Sequence, residues 1–353
     1  MKVCFVGNFS GGGTERVTLQ LVNELVKDIT FEVTLVSTSS RRLTFPCNHN
    51  IAFHNLSIQS LPRKIFELRK VLKELQPNIV VSIEALTGIY TIPATLGLNI
   101  RNVVWEHANY YQTQGSRWTR TVRRLWLRYF ANDYVVLTKR DLNNFIAHEK
   151  IKCRLIQIYN PVKNFEKNSS TYDYDSKIIV SAGHLVPIKR FNLIPRIFTP
   201  VSYKHPDWQW HIYGDGSQEI FNALKREIAN YNLQDHVILK GASKNMDEVY
   251  SKAALYVLTS RQEGLPTVLI EAMLHHLPCI SFDIETGPDE IITNNVNGII
   301  VPDNDLCSMS QAIEQLVGDD KIRSKFSDKT SDILQRLDYN TSVLQWVNLL
   351  KNK

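Results

Sequence analysis

The chain has few cysteines, no internal repeat and no low-complexity tract. Its five cysteines, Cys4, Cys47, Cys153, Cys279 and Cys307, are scattered through 353 residues. They are odd in number and form no C-x-x-C pair, which argues against a disulfide framework or a zinc site and for a reducing compartment. No long hydrophobic run is free of interruption. The most apolar stretch, NIVVSIEALTGIYTIPATLGLNI (78–100), contains Glu84 and Pro93. It reads as a buried strand followed by a helix rather than a membrane span. The first strand is expected to begin at Lys2, leaving no room for a secretory leader and implying a cytoplasmic protein.

What is present describes an ordinary soluble protein of two domains. Hydrophobic residues make up 43% and charged residues 22% of the chain, and single cores rarely grow past roughly 250–300 residues. Charge is unevenly shared. Residues 1–160 hold 21 Lys/Arg against 11 Asp/Glu, from chain totals of 41 and 35. The first half is therefore expected to meet an anionic surface, either a membrane or a nucleic acid.

Short β-rich runs alternate with helical patterns. In the first half they are KVCFVGN (2–8), FEVTLVST (31–38), NIVVSI (78–83), NVVWEH (102–107), YVVLTK (134–139) and RLIQIY (154–159). Between the first two, Val17, Leu21 and Leu25 fall at helical spacing behind Thr14, a plausible N-cap. The polar stretch 160–177 breaks the alternation, and we assign a linker at 163–176 between domains 1–162 and 177–338. The pattern restarts with KIIVSAG (177–183), WQWHIYG (208–214), HVILKG (236–241), YVLTS (256–260), CISFD (279–283) and GIIVP (298–302). The tail 339–353 is a helix with Val343, Trp346, Val347 and Leu350 on one stripe, expected to pack back on the first domain. The fold class is α/β, with two Rossmann-like domains whose parallel sheets face each other across a ligand-binding cleft.

Several loops are suited to phosphates and sugars. GNFSGGGTERV (7–17) opens the first helix through consecutive glycines, Gly12 and Gly13 among them, although it does not match G-x-G-x-x-G. SAGHLVPIKRF (181–191) leaves its strand at Gly183 and places His184, Lys189 and Arg190 before the next helix. IYGDGSQ and LKGAS leave theirs at Gly214 and Gly241, offering bare backbone to a base or ribose. WEHANYY puts His107 at a strand end. Most informative is RQEGLPTVLIEAM (261–273). Pro266 suits the first position of a helix. Glu263 then lies in the preceding loop, Glu271 lies about one and a half turns in, and the N–H groups of Thr267 and Val268 make an anion site between them.

These segments together resemble the retaining GT-B glycosyltransferases of the glycosyltransferase-4 type. The resemblance covers nearly the whole chain and rests on GGGTER, WEH, VVLT, IYNPV, GHLVPIKRF, IYGDGSQ and the E-x7-E of EGLPTVLIEAM. It implies a nucleotide-sugar donor, with UDP favoured, and a glycan acceptor that is lipid-linked, as in bacterial surface-polysaccharide or lipopolysaccharide synthesis. It also implies that Glu263 holds the transferred sugar's hydroxyls and Glu271 the ribose hydroxyls. Gly264, Leu265, Pro266, Thr267 and Val268 would supply backbone contacts, and Lys189 would neutralise the leaving diphosphate. Gly12 and Gly13 would approach donor phosphates or acceptor, and His107 would line the reaction centre. No cofactor and no metal is expected; the D-x-D of Asp173–Asp175 is read as a coincidence in the linker. Two positions depart from the family pattern, which has Arg where this chain has His184 and Gly where it has Arg190. Histidine carries less charge than Arg at pH 7, so Arg190 is expected to restore part of it. Rival readings are a nucleotide-sugar epimerase or phosphorylase on the same scaffold, and a degenerate binding scaffold.

The basic first half has a candidate use. SRWTRTVRRLWLRYF (116–130) interleaves Arg117, Arg120, Arg123, Arg124 and Arg128 with aromatic residues, Trp126 among them. PRKIFELRKVLK (62–73) adds Arg63, Lys64, Arg69, Lys70 and Lys73. Such segments suit an anionic bilayer, and no nucleic-acid motif accompanies them.

Overall fold

The computed structural model describes all residues except 10, 40–41, 57, 59, 113–116, 163–171 and 353. Most of the expected linker, and the first residue of the basic segment 116–130, therefore lie outside the described residues. The chain divides into two compact units, Met1–Lys163 with Leu337–Lys353, and Asn164–Arg336.

The first unit is built on a parallel sheet of seven strands. They are β1 (Lys2–Gly7), β2 (Glu32–Ser37), β3 (Ala52–Asn55), β4 (Ile79–Ile83), β5 (Arg101–Trp105), β6 (Asp133–Val136) and β7 (Arg154–Gln157), in the order β3-β2-β1-β4-β5-β6-β7. Near-continuous apolar runs make the central strands, because helices cover both faces and every side chain must be buried. Thus Cys4, Phe5 and Val6 are fully buried, as are Val80, Val81, Val103 and Val104. β3 escaped the sequence reading because it is an edge strand whose residues are mostly exposed. The first helix runs Gly13–Leu25 with Gly12 at its N-cap, so Thr14 lies inside it and does not cap it. The stretch 78–100 forms β4, a short 3-10 turn (Ala85–Thr87) and the helix Gly88–Thr95. Among the described residues no helix is long and apolar enough to cross a membrane.

The C-terminal helix Tyr339–Lys351 belongs to this first unit. The Asp338 carboxylate caps it by accepting from the Thr341 N–H at 2.7 Å. Trp346 is fully buried with its ring 4.6 Å from that of Trp105. Arg101 donates to the carbonyl of Leu349 at 2.9 Å, and Lys351 pairs with Asp28 at 2.7 Å. The inward face is set by Ser342, Trp346, Leu349 and Leu350, rotated slightly from the expected stripe.

The second unit carries β8 (Ile178–Ala182), β9 (Gln209–Tyr213), β10 (Val237–Gly241), β11 (Leu255–Leu258), β12 (Cys279–Asp283) and β13 (Gly298–Pro302), in the parallel order β10-β9-β8-β11-β12-β13. Its core gathers Phe198, Trp208, Trp210, Ile280, Phe282 and Ile313. The buried Arg323 closes one end: it donates to the Leu316 carbonyl at 2.8 Å, pairs with Asp320 at 2.6 Å and lies over the Trp208 ring.

In each sheet the strand order reverses direction once, between β1 and β4 in the first unit and between β8 and β11 in the second. Parallel sheets of this kind leave a crevice at that switch point, beyond the carboxyl ends of the strands.

Replacing Trp346 by Ala is expected to destabilise the first unit by about 3–5 kcal/mol, the usual cost of emptying a large aromatic site. Urea unfolding measures it, and a loss below about 1 kcal/mol contradicts this account of the C-terminal helix.

Candidate functional site

The switch point of the second unit brings together residues from two loops. One follows β8 and holds Gly183–Arg190; the other follows β11 and holds Thr259–Pro266. Lys189 Nζ donates to Glu263 Oε1 at 2.6 Å, and the two side chains are 20% and 14% exposed. Their backbones are fastened as well. Thr259 Oγ1 donates to the Lys189 carbonyl at 2.7 Å, Thr286 Oγ1 donates to the Glu263 carbonyl at 2.7 Å, and the Arg261 N–H donates to the Ile188 carbonyl at 2.8 Å.

Glycines form the adjoining wall. Gly183 N–H donates to the Tyr213 carbonyl at 2.9 Å and Gly214 N–H to the Gly241 carbonyl at 2.9 Å, so the three glycines sit in a row at the ends of β8, β9 and β10. Gly214 has φ +146°, and a Cβ there would meet the Gly183 carbonyl oxygen at 1.8 Å. No other residue fits. Beneath this row, Ser181 Oγ donates to the Val257 carbonyl at 2.5 Å and accepts from Trp210 Nε1 at 3.0 Å. Ser181, Thr259 and Thr286 escaped the sequence reading. Their one signal was a hydroxyl inside or beside an otherwise apolar strand.

The helix after the second loop spans Thr267–Leu274 with Pro266 at its N-cap. Pro266 thus stands one place earlier than its expected first helical position, in extended geometry at φ −72° and ψ 91°. Leu265 and Pro266 are buried, while Gly264, Thr267 and Val268 are half-buried. Gly287 backs this turn: at φ +106°, a Cβ on it would meet Pro266 Cδ at 2.4 Å. Glu271 is buried and accepts from the Tyr250 hydroxyl at 3.3 Å.

The two departures from the family pattern have different fates. His184 is exposed. Arg190 adopts the left-handed conformation at φ +52° that glycine takes most easily. Its guanidinium is bound to Asp303 through two hydrogen bonds of 2.7 and 3.3 Å and lies 5.9 Å from the Phe282 ring centroid. The expected surplus of charge from Arg190 is therefore already matched by Asp303. A cavity of about 620 Å³ is lined by Leu185, Arg190, Phe191, Ile220, Leu224 and Arg261, and neither Lys189 nor Glu263 lines it. Asp173 of the D-x-D serves its own turn, accepting from the Asp175 N–H at 3.1 Å.

In the first unit the glycine loop is held by a carboxylate. Glu15, buried in the first helical turn, accepts from the Gly11 N–H at 2.6 Å and from the Thr44 N–H at 2.5 Å. Gly12 has φ +88°. His107, two residues beyond β5, packs on Trp105 with the ring centroids 4.7 Å apart and the planes tilted by 41°, and its Nε2 is buried with no hydrogen-bond partner among the described residues. Burial pushes its pKa down to about 3, so the ring is a neutral imidazole near pH 7.

The basic segment splits into two faces. Trp126 is fully buried and donates to the Ala85 carbonyl at 3.0 Å. Arg123 is buried too, donating to the Tyr110 carbonyl at 2.8 Å. Neither can touch a bilayer, which corrects their assignment as membrane contacts; helical periodicity turns them inward. Arg124 pairs with Glu149 at 3.3 Å, and Arg69 donates to the carbonyls of Ala94 and Leu96. Arg117, Trp118, Arg120 and Tyr129 remain exposed.

Comparison with known proteins agrees with this geometry. Residues 162–332 match the family described as glycosyl transferases group 1, and residues 11–163 match glycosyltransferase family 4. An uncharacterized glycosyltransferase of Haemophilus influenzae is 27% identical over 97% of both chains. The GalNAc-α-(1->4)-GalNAc-α-(1->3)-diNAcBac-PP-undecaprenol α-1,4-N-acetyl-D-galactosaminyltransferase of Campylobacter jejuni is 23% identical over 99% of this chain and 98% of its own. Among solved structures, a mutant of Staphylococcus aureus TarM in complex with fondaparinux, α-GlcNAc-glycerol and UDP superposes with a TM-score of 0.84 at 16% identity, over the full length of both chains. The shared fold is GT-B.

Gly214→Ala is expected to destabilise the second unit by about 1–3 kcal/mol, the range for an overpacked site. Urea unfolding measures the effect. Wild-type stability contradicts the close approach of β8 and β9.

Proposed function

Since the chain belongs to the glycosyltransferase-4 family of GT-B glycosyltransferases, we propose that it transfers a sugar from a UDP-sugar to a glycan acceptor with retention at the anomeric carbon. The observation that carries this reading is the Lys189–Glu263 pair, set beside bare glycine backbone at the second unit's switch point. Lys189 exchanges Glu263 for the donor diphosphate, and the freed carboxylate accepts hydrogen bonds from the sugar's hydroxyls. Glu271 takes the ribose hydroxyls, and the backbone from Gly264 to Val268 meets the diphosphate and sugar. As the bond from the anomeric carbon to the diphosphate oxygen breaks, the acceptor oxygen bonds that carbon from the same face. The acceptor's proton passes to the departing phosphate oxygen. Stabilising the charge that grows on that oxygen is the main demand, and Lys189 meets it without a metal ion or cofactor.

A lipid-linked acceptor of bacterial surface-polysaccharide assembly is supported by the Campylobacter relative, whose name specifies an undecaprenol-linked substrate. Arg117, Trp118 and Arg120 are exposed, and we propose that they meet an anionic leaflet, with no role for nucleic acid. Vesicles of phosphatidylglycerol at low salt are expected to co-sediment the protein, and Arg117→Glu/Arg120→Glu to release it. Equal binding of both proteins contradicts docking through this helix.

Incubation with UDP-, GDP- and ADP-linked glucose, galactose and their N-acetyl amines tests the main reading. Cleavage of one UDP-sugar is expected, unaffected by EDTA, with an α-configured product by NMR. A β-configured product excludes retention, and loss of activity on chelation excludes the metal-free role of Lys189.

A further inference from the structure

The switch point of the first unit carries a carboxylate that the donor site leaves unused. Glu84 directly follows β4, in the row of strand ends formed by Thr38 after β2, Gly7 of β1 and His107 beyond β5. Its backbone stands at φ +66° and ψ +142°, outside the small left-handed region that non-glycine residues visit. The surrounding structure forces it there. Its N–H donates to the Trp105 carbonyl at 2.8 Å, and its carbonyl accepts from Thr87 Oγ1 at 2.8 Å. Strain of this kind persists at ligand-binding and catalytic positions, where the surroundings over-determine it.

The side chain is as exceptional as the backbone. Among the described residues no cation or hydrogen-bond donor meets the Glu84 carboxylate. Burial first, then the charge of Glu106, pushes its pKa up to about 7. Glu106 is itself satisfied by the Tyr134 hydroxyl at 2.8 Å. Tyr90 lies in the field of Glu84, with its hydroxyl 3.2 Å from Thr38 Oγ1. A Cβ on Gly7 would come within 2.8 Å of the Ile83 Cβ, so the ends of β1 and β4 approach closely beside Glu84. In the same row, His107 Nε2 is buried and has no hydrogen-bond partner among the described residues.

We infer that Glu84 binds a hydroxyl of the acceptor sugar, held ready by its strained turn at the first unit's switch point. This rests on the glycosyltransferase reading above. The two units then use their crevices alike: beyond the strand just past the reversal, a glutamate accepts hydrogen bonds from sugar, Glu84 directly after β4 and Glu263 in the loop that follows β11. A carbohydrate hydroxyl suits Glu84 because it donates to a carboxylate without bringing charge into a half-buried site.

The test uses octyl α- and β-glycosides of glucose, galactose, N-acetylglucosamine and N-acetylgalactosamine, with UDP present and binding read by saturation-transfer NMR. Wild type is expected to bind at least one glycoside. Glu84→Gly should lose that binding by about tenfold or more, the scale of a hydrogen bond to a charged group, and Glu84→Gln should weaken it less. Because glycine relieves the strained backbone, Glu84→Gly should also unfold at or above the wild-type midpoint. The thermal shift given by UDP should be the same in all three proteins. Undiminished glycoside binding by Glu84→Gly overturns the inference, and so does a wild type that binds UDP but none of the glycosides. Absence of any UDP shift in wild type defeats the donor-site reading instead.

Discussion

The site is organised by one ion pair. Lys189 and Glu263 lie on loops from different strands, and their contact ties the end of β8 to the end of β11 where the sheet reverses. Half-buried, the pair is shielded from solvent screening, and removing one partner strands a charge that the protein must then hydrate or neutralise. Threonine hydroxyls on the Lys189 and Glu263 carbonyls hold the two backbones, so the side chains can change partners while the loops stay in place. That separation of roles is what a binding site needs. A diphosphate offers Lys189 more negative charge than one carboxylate does, and a sugar offers Glu263 hydroxyl donors in return.

The glycine row completes this arrangement by taking material away. At Gly214 the backbone of one strand end lies against the carbonyl of the next, and a single methyl group would collide with it. Bare amides and carbonyls are therefore presented along three neighbouring strands. In the first unit the glycine loop is shaped differently, by the buried carboxylate of Glu15 reaching back to main-chain N–H groups.

Much of this was legible in the sequence, for physical reasons that vary by element. Strands of the parallel sheets were readable to within three residues at either end, because burial on both faces demands continuous Val, Ile and Leu. The edge strand Ala52–Asn55 was not, since half-exposed residues leave no such mark. The residues Lys189, Glu263 and Glu271 stood out by local motif, yet the contact between the first two spans 74 positions and no local pattern encodes it. Arg123 and Trp126 looked like surface residues because a basic, aromatic run reads alike whichever way its faces turn. Only the packing of Trp126 under Ala85 and of Arg123 under Tyr110 decides it. Arg190 was expected to restore part of the charge that His184 lacks, and its guanidinium pairs with Asp303, 113 positions away. Glu84 passed as an interruption in an apolar stretch; its strained backbone is visible only in three dimensions.

The central claim is that the second unit grips a nucleoside diphosphate at its switch point, and nucleotide binding tests it most directly. Thermal unfolding of wild type and Glu271→Ala is followed with UDP, GDP, ADP and NAD. Ligand at a hundred times its dissociation constant stabilises a native protein by about 2.7 kcal/mol. The account predicts that UDP raises the wild-type midpoint and that Glu271→Ala loses the shift. A shift with NAD alone, or an equal UDP shift in both proteins, contradicts it.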